Sequence, residues 1–127
     1  MRLLCADDDE DIRAILRLAL GLDAELDAEI VDSGDAALAR ATTEPFDAIL
    51  LDAMMPGLNG YETCRQLKAT PATAHIPVVF LTAKTGRAEH QRALDVGALG
   101  CLTKPFDPMT IAKELRAKLS AAPPRAA

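Results

Sequence analysis

The sequence predicts one three-layer α/β domain, a doubly wound parallel sheet of five strands with five helices over its two faces. Three observations predict it. Short apolar runs alternate with longer amphipathic stretches, the pattern of β-α units around a buried parallel sheet. The runs at 48–52 (Ala-Ile-Leu-Leu-Asp) and 77–82 (Pro-Val-Val-Phe-Leu-Thr) are apolar on both alternating faces, as central strands covered on each side must be. A chain of 127 residues suffices for one continuous core and leaves no room for a second unit of ordinary size. Within this class the strand order 2-1-3-4-5 is adopted by analogy, and right-handed crossovers limit the alternatives.

The elements follow in order. The first strand is expected over residues 2–6, the second over 28–32, the third over 48–52, the fourth over 77–82 and the fifth over 100–103. Residues 11–20 place Ile12, Ile15, Leu16 and Ala19 at helical spacing, with acids crowding the start where the helix dipole favours negative charge. Asp9, Glu10 and Asp11 are assigned only this helix-opening role, and Gly21 is expected to end the helix. Ser33 or Asp35 can cap a second helix running to Ala41, and Asn59 or Gly60 opens a third running to Ala69. A fourth helix is expected over 88–96, closed by Gly97, and Asp107 caps a fifth through Leu119. The domain is therefore expected over 1–120, with 121–127 (Ala-Ala-Pro-Pro-Arg-Ala-Ala) as a frayed tail or the start of a linker.

Composition narrows the function. Tyr61, Phe46, Phe80 and Phe106 are the sole aromatics, so Leu, Ile, Val, Ala and Met must build the interior. A net charge of -5 without a basic stripe argues against nucleic acid as the primary ligand, since phosphate-backbone binding needs clustered Lys and Arg. Cys5, Cys64 and Cys101 form no Cys-x-x-Cys pair and have no His at ligand spacing, so they read as small core residues of a protein in a reducing compartment. The N-terminus lacks the apolar length of a signal peptide, and no apolar run approaches membrane-spanning length. A soluble, cytoplasmic location is expected. His75 and His90 read as surface residues.

In doubly wound sheets, ligands bind beyond the carboxyl ends of the strands. The first strand ends in Asp7-Asp8, the third in Asp52, the fourth in Thr82-Ala83 and the fifth in Lys104-Pro105, so the fold brings every one of these groups to the same edge. Three converging carboxylates repel one another and demand raised pKa values or a cation. Mg²⁺, or Mn²⁺, suits an open, all-oxygen site that keeps waters and phosphate oxygens. A carboxylate can also attack phosphorus to form an aspartyl phosphate, chemistry that needs mainly positioning and charge neutralisation. Asp52, which closes an apolar strand ahead of the loop Ala53-Met54-Met55-Pro56-Gly57, is the candidate nucleophile. Lys104 would neutralise a phosphoryl oxygen, Thr82 would donate a hydroxyl hydrogen bond, and the small Ala83 would leave its backbone N–H approachable.

With Asp7-Asp8, the segment from Leu50 to Gly60 (Leu-Leu-Asp-Ala-Met-Met-Pro-Gly-Leu-Asn-Gly), Pro77 to Ala83 and Lys104-Pro105-Phe106, the sequence resembles the response-regulator receiver family of two-component signalling, over roughly residues 2–119. The resemblance implies a flavodoxin-like fold, with Asp7, Asp8, Asp52 and the Met54 carbonyl as the metal set. It implies phosphorylation of Asp52 by a histidine kinase or a histidine phosphotransfer protein. It also implies coupling of the phosphoryl group to the fold through Thr82 and Lys104, a cis Lys104-Pro105 peptide, and a signalling face made of the fourth helix, fifth strand and fifth helix. On that face Arg87, Arg92, Lys113 and Arg116 are candidate contacts for a downstream protein. Such a domain is a signalling phosphoacceptor, catalysing at most its own phosphoryl transfer and dephosphorylation, and binds neither DNA nor membrane directly.

Two departures from the family pattern stand out. Cys101 occupies the place, three residues before Lys104, where the family usually has an aromatic or histidine switch residue. Met54 and Lys84, two residues beyond Asp52 and Thr82, offer no amide or carboxylate to orient an attacking water. Other readings of the same sheet fit less well. A cobalamin-binding domain wants His, and a dehalogenase-type phosphatase wants Asp, where Met54 stands; a flavodoxin's phosphate would be repelled by Asp7-Asp8-Asp9. The remaining alternative is a receiver-like module that binds partners without phosphorylation. Each residue alone has an ordinary structural role, as helix opener, strand end or surface charge. Their joint order and phase carry the functional reading.

Overall fold

The computed structural model describes residues 1–84 and 86–120. The elements run β1 (Arg2–Ala6), α1 (Glu10–Gly21), β2 (Asp27–Val31), α2 (Gly34–Thr43), β3 (Ala48–Asp52), α3 (Gly60–Ala69), β4 (Val78–Thr82), α4 (Arg87–Asp95), β5 (Gly100–Thr103) and α5 (Ile111–Ser120). The five strands form one parallel sheet in the order β2-β1-β3-β4-β5, as the sequence predicts. The expected tail at 121–127 lies outside the described residues.

Strand pleating divides the interior in two. Leu4, Ala6, Ile49, Leu51, Val78 and Phe80 face one side, packed with Ala37 and Ala41 of α2, Tyr61, Cys64 and Leu67 of α3, and Ala93 of α4. Leu3, Cys5, Ala48, Leu50, Val79 and Leu81 face the other, against Leu16, Ala19 and Leu20 of α1 and Ile111 and Leu115 of α5. β3 and β4 are buried at every position, which is why their sequences show no polar alternation. Cys5 and Cys64 are buried free thiols held protonated by that burial, Cys64 at about 11. His75 and His90 are exposed, and among the described residues no helix is long and apolar enough to cross a membrane.

The caps explain the helix starts. Asp9 accepts from the N–H groups of Asp11 and Ile12, Ser33 from Ala36, and Asn59 from Glu62. α1 ends at Gly21 as expected, but without a left-handed glycine cap: φ at Gly21 is not positive, and Leu22 is the cap residue. α2 continues past Ala41 to Thr43, where the hydroxyls of Thr42 and Thr43 turn back onto carbonyls of the preceding turn. Asp107 caps a single turn through Thr110 and Ile111, and α5 itself starts at Ile111.

β2 forms one margin of the sheet, and its outward residues are charged. Arg2 contacts Asp27, Glu29 and Glu44 at 3.5 to 3.7 Å, and Arg40 also grips Glu29.

Candidate functional site

Because all strands are parallel, the residues after β1, β3, β4 and β5 emerge at one rim. Asp7 continues the β1–β2 ladder, its N–H donating to the Val31 carbonyl at 3.2 Å, and it is wholly buried. Asp8, the next residue, is exposed. Asp52 is the last residue of β3 and only 5 % exposed. Carboxylate oxygens of Asp7, Asp8 and Asp52 all lie within 4.8 Å of one another. Lys104 reaches in from the end of β5, its Nζ 2.8 Å from Asp7 Oδ2 and 3.3 Å from Asp52 Oδ1. The Lys104-Pro105 peptide is cis.

The remaining predicted residues surround this cluster. The Met54 N–H donates to Asp52 Oδ1 at 3.2 Å while its side chain stands in solvent. Thr82 is buried at the end of β4, and its Oγ1 accepts from the Lys84 N–H at 3.1 Å. The Lys104 N–H donates to the Thr82 carbonyl at 2.8 Å, so the ends of β4 and β5 are joined at the rim. Ala83 follows Thr82 and is exposed.

The electrostatics follow from the crowding. Burial, then the neighbouring Asp7 charge, push the Asp52 carboxyl up to about 6, against the opposing pull of the Met54 N–H and Lys104. Burial draws the Lys104 ammonium down, but Asp7 and Asp52 outweigh it and hold the group above its ordinary value. Asp7 Oδ2 is buried without an aligned hydrogen bond, and Lys104 is its ion-pair partner. A buried, under-satisfied carboxylate oxygen facing two further carboxylates is the donor set that a hard divalent cation fits.

The raised Asp52 value has a stability consequence in metal-free protein. Well below about pH 4 the carboxyl is protonated in both folded and unfolded chains. As pH rises from there through about 6, the unfolded chain ionises first and stability is lost. Asp52→Asn, which cannot ionise, should therefore stabilise the chelator-treated protein by on the order of 1–3 kcal/mol near neutral pH. The gain should have largely gone near pH 4, roughly the unfolded carboxyl's pKa, and vanish below it. Urea denaturation at both pH values checks this, and equal stability of the two proteins near neutrality contradicts it.

Sequence reasoning passed over two features. Arg13 Nη1 donates to the Asp7 carbonyl oxygen at 3.1 Å; the available signal was one basic residue a turn into an acid-rich helix start. Tyr61 stacks on Phe80 with centroids 4.8 Å apart, lies 3.8 Å beneath the Arg92 guanidinium, and donates its hydroxyl to Glu89 Oε2 at 2.7 Å. Cys101, in place of an aromatic, packs against the core beneath α2, α3 and α4 and makes a 4.0 Å contact to the Glu89 carbonyl. Tyr61 thus adds a polar and a cation–π tie to α4, beside the packing of Ala93 into the core.

The candidate partner contacts also divide. Arg116 pairs with Asp23 at 2.7 Å, and Lys113 lines the same groove between α1 and α5, so neither faces β5. Helical phase is the reason: Glu114, Ala117 and Lys118 are the α5 residues that flank β5, lining an open groove of about 680 Å³ with Cys101, Leu102 and Phe106. Arg87 and Arg92 are both exposed, Arg92 with its guanidinium over the Tyr61 ring.

Fold and rim together define a doubly wound α/β domain with an acidic, all-oxygen site and a lysine at the carboxyl edge of its sheet. Residues 3–116 match the response regulator receiver domain family, and the chain belongs to that family. It is 43% identical over 120 residues to the response regulator PleD of Caulobacter vibrioides, covering 91% of this chain and 25% of PleD. It is 36% identical over 118 residues to the transcriptional regulatory protein ResD of Bacillus subtilis, covering 93% of this chain and 48% of ResD. The chain thus spans a quarter to a half of these curated relatives. Among solved structures, the chemotaxis response regulator CheY4 of Vibrio cholerae superposes with a TM-score of 0.85 at 33% identity, covering 92% of this chain and 97% of that one. Receiver domains are signalling phosphoacceptors of two-component systems and interact with histidine kinases and downstream effectors.

Proposed function

We propose that this domain accepts a phosphoryl group on Asp52 from a histidine kinase or histidine phosphotransfer protein, and responds by changing its α4-β5-α5 face. The observation that carries the proposal is the meeting of Asp7, Asp8 and Asp52 within 4.8 Å, with Lys104 bridging Asp7 and Asp52. Asp7, Asp8, Asp52 and the Met54 carbonyl would hold Mg²⁺, or Mn²⁺. Bound there, the ion would offset carboxylate repulsion and the charge of the incoming phosphoryl oxygens.

Asp52 supplies the nucleophile. One carboxylate oxygen attacks phosphorus, the P–N bond of the donor phosphohistidine breaks, and the imidazole leaves with the electron pair and takes up a proton. The product is an acyl phosphate on Asp52. Lys104 neutralises a phosphoryl oxygen as a point charge, Thr82 turns its hydroxyl from the Lys84 N–H to donate to another, and the Ala83 N–H adds a backbone donor. Because Lys104 directly follows β5 and Thr82 ends β4, drawing them inward repacks the α4-β5-α5 surface and shifts a two-state equilibrium.

Incubation with acetyl phosphate and Mg²⁺, read by intact mass, tests the reaction; absence of labelling favours a module that binds partners without phosphorylation. The acyl phosphate should persist for minutes or longer, because neither Met54 nor Lys84 can orient an attacking water. Decay within seconds contradicts that expectation. Beryllium fluoride should move the backbone NMR shifts of residues 82–116, and an unchanged spectrum there sinks the switching model.

A further inference from the structure

The turn between β1 and α1 carries two of the three rim carboxylates, and a side chain outside the rim fastens it. Arg13 lies one turn into α1, half-buried, with Nη1 on the Asp7 carbonyl oxygen at 3.1 Å. Among the described residues it makes no ion pair, although Asp8, Asp9, Glu10 and Asp11 all lie within five positions. A guanidinium amid so many acids ordinarily takes a carboxylate. This one is committed to a peptide oxygen.

The bond completes the fixing of Asp7. Its N–H donates to the Val31 carbonyl at 3.2 Å and its Oδ1 accepts from the Asp9 N–H at 2.9 Å, while Oδ2 faces Lys104 at the rim. The Asp7 carbonyl belongs to the peptide that leads into Asp8, and the rotation of that peptide sets where the Asp8 side chain points. Among the described residues the exposed Asp8 carboxylate has no hydrogen bond of its own to hold it.

We infer that Arg13 is a positioning residue, holding the Asp7-Asp8 peptide so that both carboxylates address one Mg²⁺. The inference rests on reading the rim as a Mg²⁺ site. Orientation and charge act in opposite directions: a fixed Asp8 tightens cation binding, while a nearby guanidinium weakens it. Arg13 is only half-buried, so its charge is screened. Groups that orient metal ligands typically contribute 10–100-fold, roughly, to affinity, so orientation wins.

Calorimetric titration with MgCl₂ of wild type, Arg13→Met and Arg13→Lys provides the test. Methionine keeps the apolar stem and the helix but deletes the donor; lysine keeps a donor of similar reach. Arg13→Met should bind Mg²⁺ about tenfold or more weakly, and Arg13→Lys within about threefold of wild type. Metal-free melting curves should stay close for all three, and acetyl phosphate labelling of Arg13→Met should recover at saturating Mg²⁺. Unchanged or tighter binding by Arg13→Met overturns the inference alone, as does an equal loss in Arg13→Lys. A wild-type protein that binds no Mg²⁺ overturns both the inference and the reading beneath it.

Discussion

Asp52→Asn is expected to leave acetyl phosphate labelling at background, a loss of roughly a thousandfold or more, while the domain stays folded. Asparagine keeps the shape of the buried side chain and can still accept from the Met54 N–H, so the end of β3 need not move. What disappears is the anionic oxygen: an amide oxygen attacks phosphorus poorly and yields no stable acyl phosphate. The same exchange also removes one of the three converging charges, so a cation would be held more weakly as well. Intact-mass measurement before and after acetyl phosphate separates the outcomes. A normally labelled Asp52→Asn protein places the acceptor elsewhere and ends the proposal.

Gly60→Ala is expected to cost about 3 kcal/mol or more of stability, read as a shift in the urea midpoint. The reason is space rather than backbone conformation, because φ at Gly60 is not positive. A Cβ there would lie 2.2 Å from the Asp52 carbonyl oxygen, 2.9 Å from the Ala53 Cα and 3.0 Å from the Asp52 carbonyl carbon. These are main-chain atoms that no rotamer change can move aside. The Gly60 N–H also donates to the Ala53 carbonyl at 3.2 Å, so α3 starts hard against the chain leaving β3. Relieving the clash must push the α3 start away or displace Asp52 itself, so labelling should fall along with stability. Gly21→Ala is the internal control. Nothing lies within 4 Å of its would-be Cβ near the end of α1, and alanine there should add about 0.5–1 kcal/mol. Equal midpoints for Gly60→Ala and wild type contradict the packing argument.

The strands were legible because burial on both faces leaves no other pattern. β1, β3 and β5 fall at the expected residues, β4 starts one residue later than expected, and β2 sits one residue earlier at both ends. Helix starts were legible where a side chain caps them, at Ser33 and Asn59, and less so at α5, where Asp107 caps a separate turn first. The membership of the rim was legible because a parallel sheet sends every strand's carboxyl end the same way. Its inner asymmetry was not. Asp7 and Asp8 read as an equivalent pair, yet the pleat buries one entirely and leaves the other in solvent. The directions of Arg92, Lys113 and Arg116 were equally hidden, since they depend on how each helix is rotated against its neighbours, and spacing within one helix does not record that.

An open sheet offers an added strand a place to dock at each of its two margins. Along β2, a second copy of the same strand would set its own acids beside Asp27 and Glu29, which Arg2 and Arg40 already pair. β5 closes the opposite margin with a strand of four residues. Addition of a further strand is thereby discouraged at both margins.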